Sequence, residues 1–236
     1  MNPALVYGYR GNWYVNLTNR CTATCTFCIK FSWKMDYRGH DLRLSADAEA
    51  DEVIAALERR AAWRRQRRYP PFRGEIVFCG YGEPLLRLET LKAVASWAHA
   101  RGLKTRANSL GQVNIVTGRN VLAELDGALD GLSVSLNAHD EPAYDAYVWH
   151  RHGPGTFGRV CDFVREAPRF VPRVVVTAVK LPRIDPEAFK RLAKSLGVEG
   201  RVRPYLGPAG FATPRVRRSD SPAGDLESAR LIDSCS

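Results

Sequence analysis

Apolar residues along the chain form short runs that alternate with longer segments of helical periodicity. The runs predict strands at 13–17, 75–79, 103–108, 132–137, 174–180 and 202–205. Helices are predicted at 45–68, 88–100, 141–147, 157–167 and 186–196, and within 111–125. Alternating strands and helices favour a parallel sheet with right-handed crossovers. Six such units are fewer than the eight of a closed barrel. The pattern therefore predicts an α/β fold, an open parallel sheet in a partial (β/α)6 barrel.

Polar and turn residues set the expected boundaries of these elements. Ser45 is the expected cap of the first long helix, which Pro70 and Pro71 separate from the next strand. Residues 31–43 mix aromatic, charged and glycine residues and are predicted to form a loop. Residues 207–236 are rich in Gly, Pro, Ser and Arg, so we expect a core domain at 1–206 followed by a tail or flap.

The composition is that of a globular protein, with 45% hydrophobic residues. No stretch is long and apolar enough to predict a membrane span, and the first residues lack a signal-peptide pattern. Cysteines clustered in such a chain are typical of metal binding in a reducing compartment. We therefore expect a cytoplasmic protein without a membrane partner.

The formal net charge of +10 narrows the choice of partner only in part. Such a field attracts nucleic acids, phosphorylated or carboxylated substrates and acidic proteins alike. Six arginines lie close together at the end of the predicted helix 45–68, at positions 59, 60, 64, 65, 67 and 68. They are consistent with a solvated helix end, where cations are favourable, or with an anionic partner.

Three cysteines directly follow the first predicted strand with the spacing C-x-x-x-C-x-x-C, at Cys21, Cys25 and Cys28. Three thiolates can bind a four-iron cluster while leaving one iron open. Structural zinc sites are usually closed by four protein ligands, and a disulfide would leave one cysteine over. The hypothesis to test is a [4Fe–4S] cluster with one open iron, with zinc as the alternative.

The cysteine motif, with Phe27 before its last cysteine, resembles the signature of radical S-adenosylmethionine (SAM) enzymes. The segments 16–30, 75–87 and 132–137 are similar to the TatD-nuclease-associated branch of that family, and the resemblance extends from Tyr14 to about Tyr205. It implies a partial barrel of the radical SAM type. It also implies that SAM binds the open iron and is cleaved reductively to a 5′-deoxyadenosyl radical.

The resemblance also implies which residues contact SAM. Gly80, Gly82 and Glu83 are similar to the family's Gly-Gly-Glu-Pro motif, which holds the SAM amino group, although Tyr81 interrupts the glycine pair. Phe27 would pack on the adenine. Contacts to the ribose and the methionyl part are implied for three further residues: Ser135, Asn137 and Asn108. Each also has a plainer interpretation. Phe27 could be an ordinary core residue, the glycine segment a simple turn, and the remaining three residues polar ends of strands.

Other polar residues have less specific interpretations. Lys180, Arg203 and Tyr205 follow predicted strands and suit an anionic group or a surface ion pair. The pair His150 and His152 suits a metal, a proton relay or an ordinary surface loop. Three cysteines remain outside the motif, of which the first two are expected to be buried and the last incidental: Cys79, Cys161 and Cys235.

The leading functional prediction is a radical SAM enzyme that abstracts hydrogen from a small or anionic substrate, or a short flexible segment. The sequence does not identify a catalytic side chain or the reaction outcome. The family resemblance implies a flavodoxin- or ferredoxin-type electron donor. The alternatives are a basic nucleic-acid-binding protein with a metal site, or a tRNA-modifying radical SAM enzyme, which the arginine cluster would support.

Overall fold

The computed structural model describes residues 3–207, so the predicted tail 207–236, including Cys235, lies outside this range except for its first residue. Its strands are, in chain order, β1 (Val6–Tyr9), β2 (Asn12–Val15), β3 (Thr24–Cys25), β4 (Asp36–Tyr37), β5 (His40–Asp41), β6 (Ile76–Phe78), β7 (Thr105–Ser109), β8 (Gly131–Ser135), β9 (Val148–Trp149), β10 (Arg173–Val179) and β11 (Glu199–Arg203).

The helices alternate with the main strands, as the periodicity predicts. They are α1 (Ile29–Ser32), α2 (Ala50–Gln66), α3 (Leu88–His99), α4 (Val113–Thr117), α5 (Val121–Glu124), α6 (Glu141–Tyr147), α7 (Thr156–Glu166) and α8 (Pro186–Ser195). Two 3₁₀ turns, Pro84–Arg87 and Ala167–Arg169, complete the set among the described residues.

A seven-stranded sheet in the order β1-β2-β6-β7-β8-β10-β11 forms the centre of the molecule. Within this sheet, the neighbouring strands from β2 through β6, β7, β8 and β10 to β11 are all parallel. Strand β1 pairs with β2 as an antiparallel edge strand. The six parallel strands correspond to the six predicted strands, so the predicted α/β class with an open parallel sheet is confirmed. Crossover helices connect them, which places every carboxyl end of a parallel strand at the same edge of the sheet.

The two faces of the sheet differ in chemistry because side chains alternate along each strand. One face is apolar and buried in the main core together with the helices, for example Val15, Phe78 and Val134. The register places Arg106 beside Val77 and Asn108 beside Ser133 on the opposite face. The second face is therefore polar, and its polar side chains extend to the carboxyl ends of the strands.

Three predictions about individual elements were wrong. Helix α2 starts at Ala50 rather than at Ser45, since Ala48 N–H donates to the carbonyl of Leu17 (2.8 Å) and holds the preceding segment outside the helix. The expected loop 31–43 contains the end of α1 and the hairpin β4–β5. Strand β1 was missed as well, because Gly8 weakens its strand pattern.

We expect the packing of α3 on the sheet to be a main source of stability. Leu91 is fully buried in α3, so Leu91→Ala should lower the free energy of unfolding by about 2–5 kcal/mol. The neighbouring Lys92 pairs with Glu89 at the surface (3.6 Å), so Lys92→Ala should change it by about 0.5 kcal/mol or less. Urea denaturation measures both, and equal effects would contradict this arrangement of the helix.

Candidate active site at the carboxyl ends of the parallel strands

The cysteine loop leaves the end of β2 and is fixed to the opposite side of the site by backbone pairing. Cys25 in β3 pairs with Val148 in β9, and the N–H of Thr26 donates to the carbonyl of Tyr147 (3.0 Å). Cys28 N–H donates to the Cys25 carbonyl (3.0 Å), so the loop turns back just before α1. These contacts fix Cys25 and Cys28 in the loop, and Cys21 lies near enough for its charge to act on the thiol of Cys25.

Burial disfavours the ionised form of all three thiols. Although Cys21 reaches solvent, burial of its thiol raises its pKa to about 11. Burial, followed by the charges of Cys28 and Cys21, holds the pKa of Cys25 well above its usual range. The positive charge of Lys30 opposes this rise at all three cysteines without cancelling it. Thiolates in such a site need a bound cation to be stable, and a metal centre supplies it.

Within residues 3–207, no three His, Cys, Asp or Glu side chains are arranged as ligands of a single metal ion. A cluster of several iron atoms differs from a single ion, because each cysteine binds its own iron. Three soft sulfur donors in one loop suit such an iron–sulfur cluster.

The glycine turn after β6 packs directly against the backbone that leads into the cysteine loop. A Cβ atom at Gly80 would lie 1.9 Å from Asn16 Oδ1, and one at Gly82 would lie 2.3 Å from the Thr18 carbonyl oxygen. Both glycines are thus required for this close approach. The atoms closest to both positions belong to the protein segment 16–20. The residue between the glycines, Tyr81, donates from its hydroxyl to the Asp36 carbonyl (2.7 Å) and holds the β4–β5 hairpin.

Glu83 follows this turn as a buried carboxylate without a cation partner in the described chain. Its side chain is 1% exposed and accepts N–H bonds from Leu110 (2.7 Å) and Leu85 (3.1 Å). Burial raises the pKa of Glu83 to about 7, against these hydrogen bonds and one from Ser109. A buried carboxylate held in place by backbone donors is suited to bind an ammonium group.

The predicted ribose-contacting residues lie beside each other at the end of β8. Asn137 lies two residues beyond the end of β8 in a left-handed conformation (φ 58°), so it does not continue the strand alternation of Ser133 and Ser135. Its Nδ2 donates to the Ser135 carbonyl (3.0 Å), while its Oδ1 is buried without a hydrogen-bond partner. This acceptor is available for a ligand hydroxyl.

The other two predicted contacts already have protein partners. Asn108 Oδ1 accepts from Arg106 (2.6 Å). Burial raises the pKa of the neighbouring Cys79 thiol, and the Asn108 side chain opposes this rise. Phe27 is buried in the main core, with its ring edge-to-face against Tyr147 at 6.2 Å. The interpretation of Phe27 as a core residue is therefore confirmed. Because Phe27 also precedes Cys28, its contact with the adenine is taken up below as a proposal.

Two polar residues near the cysteine loop were not singled out from the sequence. Asn16 is fully buried, with Nδ2 donating to the Leu42 carbonyl (2.9 Å) and Oδ1 facing the glycine turn without a hydrogen bond. Gln112 donates from Nε2 to the hydroxyl of Tyr144 (2.7 Å) and leaves its own buried Oε1 unpaired. Asn16 is a polar residue within the apolar run of the predicted strand 13–17, which was a usable signal, whereas Gln112 had none.

Of the two cysteines expected to be buried, Cys161 is buried in the core and Cys79 is only partly buried. The rings of His150 and His152 stack at 5.7 Å, and His152 Nε2 lies 3.2 Å from the Thr22 carbonyl oxygen, so this pair adjoins the cysteine loop. Arg203 lowers the pKa of Cys25 and Cys28, which places it near the same loop.

The fold and the site together define an α/β protein whose cysteine loop, buried carboxylate and polar strand ends meet at one edge of a parallel sheet. Residues 15–196 match the sequence model of the radical SAM superfamily. The chain belongs to this superfamily and is a radical SAM enzyme, and members of the superfamily use a [4Fe–4S] cluster and SAM. None of the curated proteins matches the chain.

Solved structures agree with this fold. SuiB from Streptococcus suis matches with a TM-score of 0.54 and 13% identity over 94% of this chain and 44% of that one. The FeFe-hydrogenase maturase HydG from Carboxydothermus hydrogenoformans matches with a TM-score of 0.50 and 16% identity over 86% of this chain and 46% of that one. The chain thus spans less than half the length of either protein, and the likeness concerns the fold alone.

Among the described residues, none of the helices has the length and apolar character needed to cross a membrane.

The contact between Gly80 and Asn16 predicts a steric limit at the turn. Gly80→Ala should lower the free energy of unfolding by about 1–3 kcal/mol, because buried Asn16 is held by its bond to Leu42 and cannot move aside. The control Gly158→Ala lies in α7 with no atom near the new methyl group, and should be neutral or stabilising by up to about 1 kcal/mol. Urea denaturation of both variants decides, and a neutral Gly80→Ala would contradict the close packing.

Glu83 predicts a pH-dependent cost to stability. Its folded pKa of about 7 exceeds its ordinary value of 4.5, so the folded state loses stability as pH rises from about 4.5 to 7. Glu83→Gln removes this titration. Between pH 5 and pH 8, the stability of Glu83→Gln relative to the parent should therefore rise by about 2–3 kcal/mol. Denaturation of iron-free protein at both pH values measures it, and a pH-independent difference would contradict the burial of the charge.

Proposed function

We propose that Cys21, Cys25 and Cys28 hold the [4Fe–4S] cluster and that Glu83 binds the amino group of SAM. The enzyme would then abstract hydrogen from a small or anionic substrate, or from a short flexible segment. We assign it to the TatD-nuclease-associated branch, on the motif resemblance at 16–30, 75–87 and 132–137.

The observation that supports this proposal most strongly is the joining of Glu83 to the cysteine loop. Glu83 N–H donates to the carbonyl of Arg20, the residue before Cys21 (2.8 Å). The carboxylate is thereby fixed next to the first ligand cysteine, buried and without a side-chain cation among the described residues. An ammonium group bound there would supply the missing counter-charge.

The cysteines would each lose a proton when they bind the cluster. Their raised pKa values mean that this deprotonation is favourable only with the metal present, and Lys30 assists it. The chemistry supplied by the bound cluster and SAM is the one-electron cleavage of SAM to a 5′-deoxyadenosyl radical. The protein's own contribution is to bind, orient and exclude water.

The remaining SAM contacts are proposed from the strand ends. The unpaired Oδ1 of Asn137 would accept a hydrogen bond from a ribose hydroxyl, with Ser135 beside it. Phe27 would border the adenine. Asn108 would contact the methionyl part and stay in position through its bond from Arg106. Gly80 and Gly82 would act indirectly, by allowing the turn that carries Glu83 to approach the loop.

The substrate is proposed to lie over the polar face of the sheet. Arg106 is neutralised there by Glu75 (3.0 Å), whereas exposed Arg203 makes no ion pair within residues 3–207. Arg203 also lies near the cysteine loop, as its effect on Cys25 and Cys28 indicates. A carboxylate or phosphate of the substrate would pair with it. This favours an anionic substrate.

The proposed redox partner is an acidic electron-transfer protein of the flavodoxin or ferredoxin type. The net charge of +10 would steer such a partner to the enzyme. The proposed compartment is the cytoplasm, where the ligand cysteines would stay reduced.

The test is an anaerobic assay for 5′-deoxyadenosine after reconstitution with iron and sulfide and addition of dithionite and SAM. We expect the parent protein to release 5′-deoxyadenosine and the triple variant Cys21→Ala, Cys25→Ala, Cys28→Ala to release none. Glu83→Gln should keep the cluster but bind SAM about 10-fold more weakly or worse, since a charge-assisted bond is lost.

The matched control is Cys161→Ala, which removes a buried cysteine of α7 outside the loop. It should retain both the iron content and the release of 5′-deoxyadenosine. Loss of the cluster in this control, or its retention in the triple variant, would contradict the assignment of the ligands.

A further inference from the structure

A groove of about 900 Å³ lies at the amino ends of the parallel strands, far from the cysteine loop. Its wall includes Trp13 at the start of β2, Phe72 before β6 and Leu103 before β7. The carboxyl-terminal halves of α2 and α3 complete it. The strands separate the groove from the candidate active site by roughly 15 Å, so its occupant is distinct from the reacting part of a small substrate.

Planar side chains are stacked along this groove and its rim. The rings of Trp63 and Tyr69 stack at 5.5 Å and are 46% and 50% exposed. The guanidinium group of Arg67 lies over Trp63 (4.5 Å), and that of Arg64 lies over Tyr69 (5.5 Å). On the other wall, Arg101 lies over Trp97 (4.2 Å). Aromatic rings and guanidinium planes of this kind are the surfaces on which unpaired bases stack.

The groove also carries an excess of positive charge. Four arginines line it against a single glutamate, Glu58, which is paired with Arg101 (3.2 Å). Within residues 3–207, neither Arg59 nor Arg65 has a carboxylate within ion-pairing distance. The Nε of Arg64 is buried without a hydrogen-bond partner.

The protein compensates these cations only in part, since Arg64 donates to the Pro70 carbonyl (2.8 Å) and Arg101 pairs with Glu58. Burial, and after it the charge of Arg64, lowers the pKa of neighbouring Arg60. A solvated helix end would place its arginines apart in water, whereas here Arg59, Arg64 and Arg65 line one concave surface together with aromatic rings. Phosphate oxygens would relieve the repulsion and bind the guanidinium groups bidentately.

We propose that this arginine–aromatic groove binds single-stranded nucleic acid. Bases would stack on the exposed planar groups while the phosphates pair with Arg59, Arg64 and Arg65. A single strand is favoured over a duplex because the bases of a duplex are already stacked on each other. An acidic protein segment would satisfy the charges but would leave the stacked rings without a role.

The test is fluorescence anisotropy of the full chain with labelled single-stranded RNA and DNA of about 15 nucleotides, from about 50 to 200 mM salt. The assay needs neither iron nor SAM, so its outcome is independent of the radical SAM assignment. We expect the double variant Arg59→Ala, Arg65→Ala to lose about 10-fold or more in affinity and to reduce the salt slope by about 2. The variant Trp63→Ala should lose roughly 5- to 100-fold, since one stacked base is lost.

The matched control removes two cations from a second basic hollow that lacks aromatic rings. Lys190 and Lys194 of α8 line that hollow with Arg173. The variant Lys190→Ala, Lys194→Ala should change the affinity by about twofold or less. Circular dichroism of each variant should match the parent, because the changed side chains in the groove and the control are at the surface.

Three results would overturn the proposal. One is the absence of binding at the lowest salt concentration. Another is an equal loss in the lysine control, which would show a response to net charge alone. The third is displacement of the nucleic acid by polyglutamate at lower concentration than by unlabelled oligonucleotide, which would identify an acidic protein as the partner.

Discussion

The close contact between two neighbouring strand ends determines the geometry of the whole site. Cys79 N–H donates to the carbonyl of Val15 (2.9 Å), and Glu83 N–H donates to the carbonyl of Arg20 (2.8 Å). Between these bonds, Gly80 and Gly82 leave no room for a side chain against the segment 16–20. The turn after β6 and the cysteine loop after β2 are thus one packed unit. A change in either strand end would move the carboxylate relative to the thiols.

This packed unit buries four ionisable side chains, and ionising them in the folded protein costs stability. Glu83 and the three cysteines are all held in surroundings that disfavour their ionised forms. Backbone donors from Leu85 and Leu110 fix the carboxylate but do not restore its usual pKa. Such a cost is typical of sites prepared for a charged ligand. A cationic cofactor group at Glu83 and metal at the thiols would each remove it.

The sequence predicted most of the sheet because the strands are compact apolar runs between turn residues, as in 174–180 and 75–79. It also predicted the cysteine loop and Glu83 from local motifs. It failed where distant backbone decides the outcome. Ser45 is an ordinary cap residue, yet contacts of its neighbours with the loop hold it outside α2. The role of the two glycines, and the burial of Asn16, depend on contacts between strands that no local pattern encodes.

The central claim is that the cysteine loop holds a four-iron cluster with one iron open to SAM. The most direct measurement is the electron paramagnetic resonance spectrum of the anaerobically reconstituted, dithionite-reduced protein, recorded with and without SAM. We expect the signal of a reduced [4Fe–4S] cluster whose g values change when SAM is added. Protein that retains zinc and gives no cluster signal, or a cluster signal that SAM leaves unchanged, would contradict the account.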